Sequence, residues 1–327
     1  MTVAVVATGG TIASTPTGGA DASPDLTGEE LVAAVPALAE LAPIEVHEFS
    51  NVPSAHLTVG RMYDLVEFVR KIDADPAVEG IVVTQGTDVL EETAYFVDLC
   101  YDGETPVVFT GAMRTPAQPG PDGPANLLGS VRTALAARGT GPGVLVAFND
   151  RVHAATDVRK MHSTNPDAFR SPEFGPLGSI DEERVTWVRR PIRDEESYRP
   201  SKGRLPLDVH AVTATLDMPP AQVTAAESAD ALCLAATGAG HVPLSIVEPL
   251  SSLVDADVPL VVTTRCVEGR LARGTYGFRG SEATLQELGA YFSDLDLAKT
   301  RIKTIVALAA DALDEAFDRP TPDAASE

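Results

Sequence analysis

The chain has 327 residues, with 47 Asp plus Glu against 25 Lys plus Arg and a formal net charge of −22 at pH 7. A surface this acidic repels nucleic acid and anionic membrane, because phosphate binding needs clustered Lys and Arg and the sequence has no such cluster. The length, with 44% hydrophobic residues, points to two domains rather than one small core.

Finer features of composition narrow the class. Of the 25 basic residues five are Lys (71, 160, 202, 299 and 303), so the other 20 are Arg. Excess carboxylate with scarce lysine fits adaptation to concentrated salt, and high-GC coding bias is the competing source of the same pattern. Cys100, Cys233 and Cys266 are widely spaced and form no CxxC, so neither a disulfide framework nor a zinc site is expected. The N-terminus has no basic region ahead of an apolar run, and no stretch approaches the ~20 apolar residues of a membrane span. A cytoplasmic enzyme without membrane or nucleic-acid partners is expected.

Val3 to Ala7 is a β-branched run and reads as a buried strand, ending in Thr8-Gly9-Gly10-Thr11. Residues 14 to 26 are small, polar and turn-prone, and are expected to be a mobile loop. Thr27 reads as an N-cap, with Glu30 closing a capping box. Ile44 to Phe49 reads as a strand, and Thr58 caps a helix from Val59 to about Asp73. Then come a strand at Gly80 to Thr84, the loop Gly86-Thr87-Asp88 and a helix through Leu99. A strand at Pro106 to Thr110 leads to Gly111-Ala112-Met113-Arg114, a helix at Asn126 to Ala137 and a strand at Gly143 to Phe148. Such alternation predicts a parallel sheet covered on both faces, with ligands bound beyond the carboxyl ends of the strands.

Residues 189 to 207 are polar and hold three prolines. The division expected is a catalytic α/β domain at 1–190, a linker at 191–207 and a C-terminal α/β domain at 208–327. In the last, Val209 to Thr213, Ala231 to Ala236 and Leu260 to Thr264 read as strands, and one helix is expected from Leu297 to about Phe317.

Three segments could carry chemistry. Gly9-Gly10 allows a sharp turn that exposes Thr11, which is either a nucleophile or the cap of a plain strand–helix turn. Thr87 and Asp88 open a helix, where they serve either as caps or as groups facing a ligand. Lys160 is a base for a threonine hydroxyl if burial or a neighbour lowers its pKa, and otherwise an ordinary surface ion-pair lysine.

Taken together, Thr-Gly-Gly-Thr-Ile-Ala at 8–13 and Gly-Thr-Asp…Glu-Glu-Thr at 86–93 resemble the two signatures of the bacterial-type L-asparaginases. The resemblance extends through Gly-Ala-Met-Arg at 111–114, Asp-Gly-Pro-Ala-Asn-Leu at 122–127, Asn149-Asp150, Lys160, Gly-Pro-Leu-Gly at 175–178 and Tyr-Gly-Phe at 276–278. It implies an α/β protein with a larger N-terminal parallel-sheet domain and a smaller C-terminal α/β domain. It implies a homo-oligomer, dimer or tetramer, that hydrolyses a small amide substrate without cofactor or metal. Residue by residue, Thr11 resembles the nucleophile and Thr87 the second threonine, linked to Lys160. Asp88 resembles the carboxylate that holds the substrate's α-amino group, and Ser54 the serine that binds its α-carboxylate. The Ala112 N–H resembles an oxyanion donor. The order in which the two threonines attack stays open.

The sequence departs from the family at several positions. Residues 14 to 27 lack the tyrosine usual on the family's mobile loop, and Leu26 falls nearest its place. Gln85 replaces a usual histidine, and Ala55 follows the binding serine where a polar residue is common. Glu268 is the nearest match to a C-terminal glutamate that reaches a neighbouring site, and His241 stands where asparagine is common.

Overall fold

In a computed structural model the described residues are 2–10, 12, 14–16, 22–24, 26–141, 143–190 and 197–320. Thr11 lies outside them, as do residues 191–196 of the expected linker and residues 17–21 and 25 of the expected loop. The chain divides into two compact units, Met1–Ser197 and Tyr198–Glu327.

Along the first unit run β1 (Thr2–Ala7), the short antiparallel pair β2 (Ser14–Pro16) and β3 (Ala22–Pro24), then β4 (Ile44–Glu48), β5 (Val78–Thr84), β6 (Val107–Thr110) and β7 (Val144–Phe148). After these come β8 (Arg151–Ala154), the pair β9 (Arg159–Lys160) and β10 (Phe169–Arg170), β11 (Gly178–Asp181) and β12 (Arg184–Trp187). The helices are α1 (Gly28–Ala33), α2 (Leu38–Leu41), α3 (Val59–Asp73), α4 (Leu90–Cys100) and α5 (Gly123–Ala136).

The main sheet has eight strands in the order β12–β11–β8–β7–β6–β5–β1–β4. On one face Leu127, Val131 and Ala134 of α5, at helical spacing, share a core with Val3, Val5, Val82, Val108 and Leu145. Ala4, Val6, Ile81 and Val83, which alternate with these, are equally buried, so both faces are covered and the strands read as continuous apolar runs. Thr27 caps α1 with both bonds of a capping box to Glu30, and the Thr58 side chain caps α3.

The sheet is mixed rather than parallel throughout. β4, β1, β5, β6 and β7 are parallel, whereas β7–β8, β8–β11 and β11–β12 are antiparallel. The cause is turn chemistry. Phe148 faces Arg151 across the two residues Asn149 and Asp150, whose φ values of 48° and 58° are those of a type I′ hairpin turn. The segment expected as a loop at 14–26 also contains the β2–β3 pair.

In the second unit β13 (Val209–Thr213), β14 (Ala231–Ala236), β15 (Leu260–Thr264) and β16 (Tyr291–Phe292) form a four-stranded parallel sheet in sequence order. Its helices are α6 (Ala221–Thr224), α7 (Leu244–Asp255), α8 (Glu282–Glu287), α9 (Leu297–Ala309) and α10 (Leu313–Ala316). Ile246, Leu250 and Leu253 of α7 pack with Leu232, Leu234 and Val262 of the sheet. The single helix expected to Phe317 is broken at 310–312. Asp311 adopts φ 54°, and the Ala312 and Asp311 N–H groups donate to Ala307 O and Leu308 O, the bonds of a Schellman stop. Cys100 in the first unit and Cys233 in the second are buried free thiols, while Cys266 is exposed.

Candidate active site

Three loops leave adjacent strands at the same end of the sheet. Ala7 pairs with Thr84 at the ends of β1 and β5, and Thr84 pairs with Thr110 at the end of β6. The loops that follow, at 8–10, 85–88 and 111–114, therefore start side by side, where parallel sheets place ligands. Glycines let them approach. A Cβ at Gly10, whose φ is +100°, would stand 2.1 Å from Gly86 N, and one at Gly111 would stand 2.4 Å from Gln85 O. The Thr8 hydroxyl locks the first two loops by donating to Thr84 O at 2.9 Å.

Thr87 and Asp88 occupy a 3₁₀ turn, Thr87–Val89, that runs directly into α4. Thr87 is buried, whereas the Asp88 side chain is 64% exposed. The Lys160 Nζ donates to Thr87 Oγ1 at 2.9 Å and to Asp88 Oδ1 at 2.9 Å. The lysine is held by its own main chain. Its N–H donates to the Glu91 carboxylate of α4, and β9 pairs it with Phe169, whose ring packs on Phe148 at the end of β7 with centroids 4.8 Å apart. Only 15% of the Lys160 side chain is exposed, so the base that sequence reasoning selected lies on Thr87 rather than in open solvent.

Ser54 begins a short turn at 54–56 and is buried. Its Oγ accepts the Asp88 N–H at 3.2 Å, which leaves the hydroxyl hydrogen to donate elsewhere. Gln85 is also buried, and its Nε2 donates to Thr93 Oγ1 at 3.2 Å, while the Thr93 hydroxyl donates to Val89 O at 3.1 Å. This chain of bonds spans the turn that carries Thr87.

Ala112 lies buried in the third loop, with Ile12 and Leu31 in one small apolar cluster. A Cβ on the neighbouring Gly111 would stand 3.3 Å from Thr87 Cγ2, so the loop runs past Thr87. The turn is fastened to α5. The Met113 and Arg114 N–H groups donate to the Asp122 carboxylate at 3.0 and 2.8 Å, and Asn126 Nδ2 donates to Gly111 O at 3.0 Å.

Thus Thr87, Asp88, Lys160 and Ser54 are in direct or one-step contact, and the Ala112 loop adjoins them. Thr11 falls outside the described residues, between Gly10 and the buried Ile12. Glu268 and His241 belong to the second unit, where the His241 ring sits against Tyr276 and Phe278 at 4.7 and 4.9 Å. Sequence reasoning missed the supports: Glu91, Asp122 and Asn126. Their signal was present, since all three lie inside quoted motifs, but a polar residue in or at the start of a helix names no tertiary partner. Among the described residues there is no group of three or more His, Cys, Asp or Glu placed to hold a metal, and no helix is long and apolar enough to cross a membrane.

Chemically, the arrangement offers a hydroxyl hydrogen-bonded to an amine, an exposed carboxylate for a cation, a serine donor for an anion, and a backbone turn beside the hydroxyl. Known proteins share the chain's pattern. Residues 2–193 match the family described as "Asparaginase, N-terminal" and residues 208–318 the "Glutaminase/Asparaginase C-terminal domain". An L-asparaginase of Bacillus licheniformis is 35% identical over 311 residues, covering 94% of this chain and 95% of its own length. A glutaminase-asparaginase of Pseudomonas fluorescens biotype A is 30% identical, over 94% of this chain and 86% of its own. The crystal structure of a probable cytoplasmic L-asparaginase from Campylobacter jejuni superposes with a TM-score of 0.82 at 29% identity, covering 94% of each chain.

Proposed function

The chain belongs to the asparaginase family, and on that premise we propose that it hydrolyses the side-chain amide of L-asparagine to L-aspartate and ammonia. The observation that carries this reading is the Lys160 amine, hydrogen-bonded at once to Thr87 Oγ1 and Asp88 Oδ1. In the mechanism, a threonine hydroxyl attacks the amide carbon and Lys160 accepts the proton that is released. Thr11 attacks with Thr87 relaying its proton, or Thr87 attacks directly. The carbonyl oxygen becomes an oxyanion facing the Ala112 N–H. The C–N bond then breaks and the nitrogen leaves as ammonia with a proton returned from Lys160. Water hydrolyses the threonine ester, which frees L-aspartate and restores the hydroxyl. Asp88 holds the substrate's α-ammonium and Ser54 its α-carboxylate.

The assay is ammonia release from L-Asn, D-Asn and L-Gln. Thr11→Ala should abolish turnover with the fold intact, and Thr11→Ser should keep part of it. Retention of more than ~10% by Thr11→Ala would remove Thr11 as the attacking group, since losing a nucleophile costs several orders of magnitude. Trapping the ester and locating it by mass spectrometry separates the two threonines.

A second reading is glutamine or another related amide as the main substrate. It draws on the relative named glutaminase-asparaginase and on the absence of tyrosine from residues 14–27. Faster release from L-Gln than from L-Asn would select it. We further propose a cytoplasmic homo-oligomer, dimer or tetramer, with the catalytic groups in an N-terminal domain (1–190), a linker at 191–207 and a C-terminal domain at 208–327.

A further inference from the structure

We propose that Asp122 and Asn126 are positioning residues of this reaction, which set the direction of the Ala112 N–H; the inference rests on the reading of that N–H as an oxyanion donor. Asn126 is buried, and its side chain ties three segments together. Its Nδ2 donates to Gly111 O at 3.0 Å and to Asp122 Oδ2 at 3.2 Å, and its Oδ1 accepts the Asn149 N–H at 3.0 Å. The Gly111 carbonyl and the Ala112 N–H belong to one peptide plane, and in a trans peptide they point opposite ways. Fixing the carbonyl on α5 therefore turns the Ala112 N–H away from α5.

Asp122 fixes the other end of the turn. It is the N-cap residue of α5, yet its side chain makes no cap bond. Its two oxygens accept instead the N–H groups of Met113 and Arg114, at 3.0 and 2.8 Å. A carboxylate that leaves the amides of its own helix uncapped and accepts two successive loop amides is a clamp on that loop. With the carbonyl of 111 and the amides of 113 and 114 all anchored, the peptide between 111 and 112 has little freedom to rotate. Preorganised donors of this kind act without reorganisation when charge develops.

The oxyanion exists only on the way to the transition state, so loosening the turn should fall on kcat and not on KM. For the full-length enzyme we expect Asp122→Ala and Asn126→Asp to lower kcat for L-Asn about 10- to 100-fold, with KM within about twofold of wild type. Asn126→Asp keeps the acceptor for Asn149 but sets a carboxylate against Gly111 O. Asp122→Asn keeps one acceptor and should recover part of the loss. A merely structural role would lower the melting temperature and leave kcat per folded molecule unchanged, and that result overturns the proposal. If Asp122→Ala does not fold, Asp122→Asn and Asn126→Asp decide, and wild-type kcat in both overturns it. Wild-type enzyme that releases no ammonia from L-Asn sinks the functional reading and this inference with it. An active wild type and a dead Lys160→Met variant beside fully active Asp122 and Asn126 variants sink this inference alone.

Discussion

Asp88 in the first unit and Glu282 in the second each lie beside a basic side chain, and their surroundings divide them. The Asp88 side chain is 64% exposed, with one oxygen 2.9 Å from Lys160 Nζ. The Glu282 side chain is 0% exposed, and its Oε1 accepts the N–H groups of Thr275 and Tyr276 at 2.9 and 2.6 Å. Its other oxygen lies 3.6 Å from His241 Nε2, beyond normal hydrogen-bond length. A buried carboxylate with one oxygen committed to two amides of a neighbouring loop holds that loop. An exposed one whose second oxygen is open to solvent has capacity for an incoming cation. The contrast separates an exposed carboxylate with room for a ligand from a buried one committed to a loop.

The largest effect should come from Lys160→Met, which keeps the stem and removes the amine. Ammonia release should fall about 10²- to 10⁴-fold, the range of a general base. Melting temperature should barely move, because an ion pair with a largely exposed carboxylate adds little stability. A variant that keeps its rate would end the assignment of Lys160 as base and with it the functional side of the comparison.

Next, Asp88→Asn should reduce kcat/KM about 10- to 100-fold, the equivalent of one charge-assisted hydrogen bond to the substrate's ammonium. Unfolding in urea should be little changed. Steady-state kinetics together with a urea midpoint would test both halves, and a large stability loss with normal kinetics would place Asp88 in the same class as Glu282.

Glu282→Ala should show the opposite pattern in unfolding. It leaves the Thr275 and Tyr276 N–H groups without their acceptor, at a cost of about 1–3 kcal/mol each at most. Glu282→Gln keeps an acceptor and should lose less. Urea titrations of the two variants provide the check, and wild-type stability in Glu282→Ala would break the comparison from the structural side.

Salt should sharpen the contrast most gently at any one residue. Raising ionic strength from ~0.01 M to ~1 M shortens the Debye length from ~30 Å to ~3 Å, which screens exposed charges and leaves buried bonds alone. With a net charge of −22 per chain, we expect the assembled enzyme to be most stable and active in molar salt. Sedimentation and activity across the series measure this. Full activity and an intact oligomer in dilute buffer would assign the acidic composition to coding bias or solubility.

Much of the first unit was legible because its signals are local. The apolar runs of β1, β5, β6 and β7 and the caps Thr27 and Thr58 can be read without knowing what they pack against. The hairpin at Asn149–Asp150 was missed because positive φ at both turn residues is a geometric fact that the pair of residue types only permits. Helix α7 was not assigned; Pro249 lies inside it, a residue type that ordinarily interrupts a helix. At the site, motif residues such as Thr87 and Lys160 announce chemistry by type and order. Their contact spans 73 positions, and the Glu91, Asp122 and Asn126 bonds that hold the loops depend on tertiary placement that no spacing encodes.

Each unit also carries one buried thiol. Burial pushes Cys100 and Cys233 up to about 12, so neither offers a thiolate at neutral pH while its unit is closed. Cys266 is exposed and should be modified at once by an alkylating reagent. Once it is blocked, alkylation of Cys100 clocks opening of the first unit and that of Cys233 opening of the second. A single labelling time course, followed by peptide mapping, would thus report the two halves of the chain as separate stopwatches within one molecule.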